Sequence, residues 1–408
     1  MSKTFIWLNL EPQVWVVETH LNEIRRIFGE QNGRLLSSSL EAKNREKKAV
    51  LVLEDGSFFF GEGFGATGET QGELVFNTGM TGYVEALTDP SYAGQILMMT
   101  YPLIGNYGVC KEDFESDGIK VEGFVVREVC ETPSNWRSEK SLPEFLEEHG
   151  VPGMQGVDTR MLTKKIRIYG TMKSTLVVYE GKDEPNIQDL IEKTRKQPAI
   201  TEIDVVPKVC IKEPKIIEVG QKLDVVLVDC GVKWSIIRLL QNYANIVLVP
   251  YNTPAEKILE YDPDGVLVSN GPGDPVRVKE TIETVRKLVG KVVLYGICLG
   301  HQIISLALGA KTYKLKFGHR GANQPVKDFE TGRVFISTQN HGFAVAEETL
   351  EKAGLILTQI NLNDHTVEGV KHKELPIKAV QYHPEAGPGP HDTYFFFDDF
   401  AKTMREYT

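Results

Sequence analysis

Cysteine is scarce in this 408-residue chain, with five in all, at positions 110, 130, 210, 230 and 298. They are scattered and odd in number, and no two share a C-x-x-C spacing, so neither a zinc site nor a disulfide framework is indicated. Such usage suits a reducing, cytoplasmic setting in which one thiol is chemically special and the others are packing. Long hydrophobic runs are missing as well. No uninterrupted apolar stretch approaches the roughly 18 residues that suggest a membrane-spanning helix. Positive charge is in deficit: 46 Lys and Arg against 56 Asp and Glu give a formal net charge of −10. That balance argues against nucleic acid and against an anionic membrane as partner. There is no G-x-x-x-x-G-K-[ST] loop for ATP and no internal repeat. The apolar run Phe5–Leu10 is too short for a secretory signal, and Glu11, Glu18, Glu23 and Glu30 have the wrong sign for a transit peptide.

The length implies two or three domains, and a hydrophobic content of 41% is enough to give each a core. Residues 1–47 read as an extension. Val17, Leu21, Ile24 and Phe28 fall at helical spacing, and a polar linker runs from Ser37 to Lys48. Residues 48–200 read as a mixed α/β domain that opens with a hairpin, Val50–Leu53 and Phe58–Phe60 about an Asp55-Gly56 turn. A connector spotted with Pro and Lys occupies 201–222. From 223 to 408 short β-branched runs (Val225–Val228, Ile246–Val249, Val266–Val268, Val292–Leu294) alternate with amphipathic segments at 235–243, 255–261 and 278–289. Strand–helix alternation of this kind predicts a doubly wound, mostly parallel sheet with its site at the strands' carboxyl ends.

Three motifs sit at such ends. Gly296-Ile297-Cys298-Leu299-Gly300-His301-Gln302 lies between a strand and a helix. Glycines on both sides of a nucleophile permit a sharp elbow. At a helix start, free N–H groups favour a thiolate and can bind an oxyanion, with the Leu299 N–H as candidate donor. His383-Pro384-Glu385 follows the strand Ile377–Val380. In extended chain, residues two apart face one way, so the imidazole and carboxylate can act as base and orienter. Ser269 to Pro275, with Gly271 and Gly273, gives backbone N–H groups close access to a substrate. Each has a plainer reading by itself: a packed cysteine, a surface histidine, a turn. Their occurrence together in one domain selects a nucleophile–base–orienter triad of Cys298, His383 and Glu385.

These three motifs resemble those of class I glutamine amidotransferase domains. Thr338-Gln339-Asn340-His341-Gly342-Phe343 and Lys316–Asn323 further resemble the small subunit of glutamine-dependent carbamoyl-phosphate synthase. So do Phe76–Tyr83, Leu87–Tyr92, Thr100–Asn106 and Gly156–Arg160 in the N-terminal domain, which other amidotransferases of the class lack. The resemblance covers about Ala49 to Phe400. It implies hydrolysis of L-glutamine to L-glutamate and ammonia through a γ-glutamyl thioester. Matching positions imply a glutamine site of Ser91, Gly271, Gly273, Leu299, Gln302, Asn340, Gly342 and Phe343. They also imply a heterodimer with a large synthetase chain that makes carbamoyl phosphate from bicarbonate, for arginine or pyrimidine synthesis. ATP and Mg belong to that partner; no metal or cofactor is expected on this chain. An amidotransferase for another synthetase, such as one making anthranilate or guanylate, would leave residues 49–180 without a role. A non-catalytic glutamine-binding subunit would have no use for the complete triad. Cys230 departs from the pattern, standing where an aromatic is expected, and reads as a packing change.

Overall fold

The Asp55-Gly56 turn closes the first hairpin as its chemistry dictates. Gly56 takes φ 92°, Ser57 N donates to Asp55 Oδ1 at 2.9 Å, and the strands Lys47–Leu53 and Phe58–Gly65 pair with Val52 opposite Phe58. The computed structural model describes residues 47–181 and 184–407. The helix and linker expected in 1–47 therefore lie outside the described residues. Residues 48–179 and 184–407 belong to one compact unit.

The hairpin belongs to a closed barrel of seven strands. Around it run Lys47–Leu53, Phe58–Gly65, Pro152–Gln155, Gly123–Val125, Gln95–Met99, Gly68–Asn77 and Met172–Glu180. Period two decides what each strand buries. Ala49, Leu51 and Leu53 join Leu74, Ile96, Met98 and Leu176 in one core, while Val50 and Val52 face the opposite way. There they meet Leu190 and Ile191 of the helix Ile187–Lys196. Each such side chain contributes about 1.5–3 kcal/mol on burial, which is why this strand reads as a continuous apolar run. Closure into a barrel was not legible in the sequence, because strands as short as Gly123–Val125 and Pro152–Gln155 carry no periodicity.

The second sheet has ten strands. Its centre is parallel, in the order Ala244–Pro250, Leu223–Asp229, Gly265–Val268, Val293–Ile297, Ile377–Val380. Helices Trp234–Leu240, Ala255–Leu259, Lys279–Leu288 and Leu299–Ala307 connect or cover these strands, close to the expected positions. Two additions extend it. Lys215–Ile217, within the segment read as a connector, pairs antiparallel at one edge. On the other side Val367–His372, Leu355–Asn361, Thr312–Asp328 and Val334–Val345 form an antiparallel arm. The last two strands carry the 316–323 and 338–343 motifs. His319, Arg320 and Gln339 to His341 are buried yet polar, so the apolar alternation that announces a strand is missing there.

Barrel and sheet are joined by buried polar contacts. Glu115 Oε2 accepts from Ser235 N at 3.0 Å and from Ser235 Oγ at 2.7 Å, while the Glu115 carbonyl accepts from Trp234 N at 2.9 Å. Asn270 Nδ2 donates to Ser91 Oγ at 2.9 Å, and Asn340 Nδ2 to Asp89 Oδ2 at 2.8 Å. Both Ser91 and Asp89 come from the short turn before the barrel strand Gln95–Met99. Replacing Glu115 with Ala leaves the Ser235 donors without their acceptor and removes one of the carboxylates that balance the buried Lys233 cation. The expected loss is about 3 kcal/mol of unfolding free energy. Denaturant unfolding of the variant checks this, and an unchanged midpoint would contradict the role given to Glu115.

Candidate active site

The strand Val293–Ile297 is buried throughout and lies between two parallel neighbours. At its end Cys298 N donates to the Val380 carbonyl at 2.8 Å, and the chain then turns sharply into the helix Leu299–Ala307. Cys298 takes φ 53°, ψ −102°, a conformation costing a side-chain-bearing residue about 1–3 kcal/mol. The flanking glycines explain why it is held. A Cβ on Gly300 would stand 2.1 Å from the Val268 carbonyl oxygen, and one on Gly296 2.7 Å from the Gly300 backbone. Only glycine lets the helix press so closely on the strand. Leu299 and Gly300 open the helix, where N–H groups lack intrahelical acceptors. The Leu299 side chain packs into the core, leaving only its backbone for the site. Cys230 is likewise a buried core residue.

His383 follows the adjacent parallel strand, and its N–H donates to the Thr338 carbonyl at 2.9 Å. Its Nδ1 donates to Glu385 Oε1 at 2.6 Å, and both side chains are fully enclosed. Lys233, equally buried, places Nζ 3.1 Å from the same oxygen and donates to the Ala386 carbonyl at 2.7 Å. These charges set the protonation states. Burial alone would depress the imidazole, but the Glu385 carboxylate and then the Cys298 sulfur lift it to about 10. Burial would raise Glu385, yet Lys233 and His383 hold it at about 2. Lys233 is kept protonated against its own desolvation by Glu385, Glu115 and Asp89. Among the described residues no nitrogen or oxygen bonds His383 Nε2, and the Cys298 sulfur lies close enough to raise the ring by its charge and by hydrogen bonding.

In front of Cys298 lies a cavity of about 430 Å³. Ser91, Gly271, Gly273, Gln302, Asn340, Gly342 and Phe343 all line it, so seven of the eight residues expected at a glutamine site share this cavity with the sulfur. Leu299 does not. His383 borders instead a second cavity of about 400 Å³, shared with Lys233, Glu85, Gly387 and Pro388, and Asn340 stands between the two. The Cys298 thiol points to the Asn340 carbonyl at 3.7 Å. Gln302 has its amide nitrogen engaged with the Phe343 carbonyl and Gln381 Oε1, both at 2.9 Å. His301 is structural; burial lowers it to about 4, and it faces Gln381.

Charged residues that the motifs did not single out also line the first cavity. Glu73 of the barrel pairs with Lys314, and buried Arg320 sits beside them. Arg320 falls within the 316–323 motif, but nothing in its spacing announces a role. Among the described residues, ligand atoms of His319, His341 and Glu368 come within 4.8 Å of one another. Both His341 nitrogens and Glu368 Oε1 already face amide or carbonyl partners, so the cluster is a hydrogen-bond network and not an open metal site.

A strained cysteine elbow beside a His–Glu pair, on a doubly wound sheet, places the second half of the chain among the glutamine amidotransferases: residues 226–403 match the family described as glutamine amidotransferase class-I. The barrel narrows the assignment, since residues 51–176 match the carbamoyl-phosphate synthase small chain, CPSase domain. The carbamoyl phosphate synthase small chain of Archaeoglobus fulgidus is 65% identical over 361 residues, 88% of this chain and 99% of that protein. Those of Methanopyrus kandleri and Methanocaldococcus jannaschii are 55% identical (88% of this chain, all of that one) and 57% identical (87% and 98%). The chain belongs to the carbamoyl-phosphate synthase small chain family.

The Glu385 charge state yields a pH test. With its folded value near 2 and an ordinary value of 4.5, its contribution to stability is fully present above about pH 4.5 and is lost as pH falls towards 2. Lys233→Met removes the largest force lowering Glu385, so this rise in stability with pH should shrink. Unfolding free energies measured across that window check it, and an unchanged slope would show that Lys233 does not hold the carboxylate ionised.

Proposed function

We propose that this chain is the glutaminase subunit of carbamoyl-phosphate synthase, with Cys298, His383 and Glu385 as its catalytic triad. The observation that carries the reading is the His383 imidazole, bonded to Glu385 through Nδ1 and with its Nε2 turned to the Cys298 sulfur, which lines the cavity. At neutral pH the raised His383 keeps its proton, the state that pairs with a thiolate. The sulfur attacks the γ-amide carbon of glutamine. Charge gathering on the amide oxygen meets the Leu299 N–H and the Gly271–Gly273 loop. His383 passes its Nε2 proton to the amide nitrogen, the C–N bond breaks and ammonia leaves, with the γ-glutamyl group on sulfur. His383 then takes a proton from water, whose oxygen attacks the thioester and releases glutamate.

Ser91, Gly271, Gly273, Leu299, Gln302, Asn340, Gly342 and Phe343 hold the substrate in this reading. The glycines and Phe343 shape a narrow slot, and polar groups from both sheets meet the zwitterionic head. Ammonia passes to a large synthetase chain that carries ATP and Mg and forms carbamoyl phosphate in the cytoplasm, for arginine or pyrimidine synthesis. Among the described residues no helix is long and apolar enough to cross a membrane.

Glutamate release from glutamine, measured with and without a cognate synthetase chain, tests the proposal. Wild type should be slow alone and faster in the complex, and Cys298→Ala should be inactive in both. Glu385→Gln should lower kcat on the order of 10³-fold or more, leaving ammonia-dependent carbamoyl-phosphate formation by the complex unchanged. Glutamate release surviving in Cys298→Ala would refute the assignment of the nucleophile.

A further inference from the structure

Glu368, on the strand Val367–His372, is fully buried and takes no part in the chemistry above. Its Oε1 lies 2.8 Å from the Gln339 side-chain amide and 3.0 Å from Asn361 Nδ2. The other end of the Gln339 amide is 3.0 Å from His341 Nε2. His341 Nδ1 in turn lies 2.7 Å from the Phe343 carbonyl oxygen, the atom that also accepts from Gln302. One chain of contacts thus runs from Glu368 to the wall of the substrate cavity.

Counting protons along it gives two solutions. A carbonyl oxygen only accepts, so His341 Nδ1 carries a hydrogen. If the Gln339 oxygen faces His341, Nε2 must carry one too, and the ring is a cation with Glu368 ionised. If the amide stands the other way round, its NH₂ donates to a neutral His341 and its oxygen accepts from a protonated Glu368. The structure has Gln339 Nε2 on Glu368 and on Ser337 Oγ at 3.1 Å; since oxygen and nitrogen of an amide share one shape, the reverse orientation fits once the Ser337 hydroxyl turns from the Gln324 carbonyl to the Gln339 oxygen. The proton count is the same; only its place differs.

The surroundings choose between them. His341 is fully buried and faces His319 and Arg320 from the strand Thr312–Asp328 and His383 from the triad, all of which oppose a second positive charge there. Glu368 faces His319, whose Nδ1 is 3.8 Å away, together with Asp364 behind that ring and the Tyr382 hydroxyl. His319, held by Asp364, favours an ionised Glu368; burial outweighs it and raises the carboxyl to about 7. Below about pH 7 the proton therefore sits on Glu368.

We propose that Glu368 is a positioning residue: its protonated carboxyl, acting through the Gln339 amide, fixes His341 as the neutral Nδ1–H tautomer, which holds the Phe343 carbonyl and the Asn340–Phe343 wall of the cavity. This rests on that cavity being the glutamine site. When Glu368 loses its proton, Gln339 turns its NH₂ to the carboxylate and its oxygen to His341. The neutral ring then carries its hydrogen on Nε2 and aims a lone pair at the Phe343 oxygen. The wall is pushed out of place, and glutamine binding weakens while the triad is untouched.

The test is KM for glutamine in the complex with a cognate synthetase chain, on either side of about pH 7, with ¹⁵N-histidine NMR of the full chain and His341 assigned through His341→Asn. In wild type KM should rise roughly tenfold as Glu368 ionises, with little parallel change in kcat. Glu368→Gln, whose amide N–H replaces the carboxyl O–H, should give a KM near the low-pH value that does not rise. Glu368→Leu should raise KM at every pH. The His341 ring should be neutral with hydrogen on Nδ1 at low pH, and in Glu368→Gln at both. A doubly protonated His341, or a wild-type KM rise that persists in Glu368→Gln, would overturn the proposal. Absence of glutamate release from wild type would refute the glutaminase reading instead, and the tautomer measurement would still decide this one.

Discussion

Cys298 sits at φ 53°, where a residue with a side chain is not at rest, and the architecture around it is what keeps it there. The strand before it is locked on both sides by parallel neighbours, and the helix after it is pressed onto the sheet with no room for a Cβ at 296 or 300. That geometry lifts the sulfur out of the sheet to the end where the cavity lies. It also points the opening N–H groups of the helix the same way. The strain is small beside the apolar burial of the two cores that flank the sheet, so the fold sustains it easily.

The rest of the site is a matter of what the second sheet brings to that sulfur. His383 is positioned by a backbone bond to Thr338, and the same strand supplies Asn340, Gly342 and Phe343. The antiparallel arm is therefore structural support for His383 and for the cavity wall together. Buried charge follows the same economy of placement. Lys233 joins Glu385 to the neighbourhood of Glu115, and Asp89 holds Asn340. Two or three buried contacts thus link the barrel to Glu385 and Asn340.

How much of this could be read from the residues follows from the kind of signal each part leaves. The parallel strands were legible because burial on both faces demands continuous β-branched runs, as in Val225–Val228 and Val266–Val268. The elbow was legible because two glycines around a cysteine have a steric reason that the close approaches at 296 and 300 now make explicit. The Gly271 and Gly273 loop was read from its glycines at a strand end, whereas Ser91, Gln302, Asn340, Gly342 and Phe343 came from resemblance; all of them line the same cavity as Cys298. Leu299 enters only through its backbone. The barrel, the antiparallel arm, and Lys233, Glu73 and Arg320 were not legible. Short strands and buried polar strands lack periodicity, and a lysine or arginine in sequence looks like surface until its partners are known. Lys233 is the sharpest case, being wholly buried within a segment, Asp229 to Lys233, noticed only for its cysteine.

The central claim is that Cys298 forms a covalent bond to the glutamyl group. Rapid acid quenching of the complex during glutamine turnover, followed by mass spectrometry of the Cys298 peptide, tests it most directly. A mass gain equal to one γ-glutamyl group on that peptide, lost on treatment with hydroxylamine and missing in Cys298→Ser, is the predicted result. Turnover with no adduct on Cys298, or an adduct on another cysteine, would contradict the account.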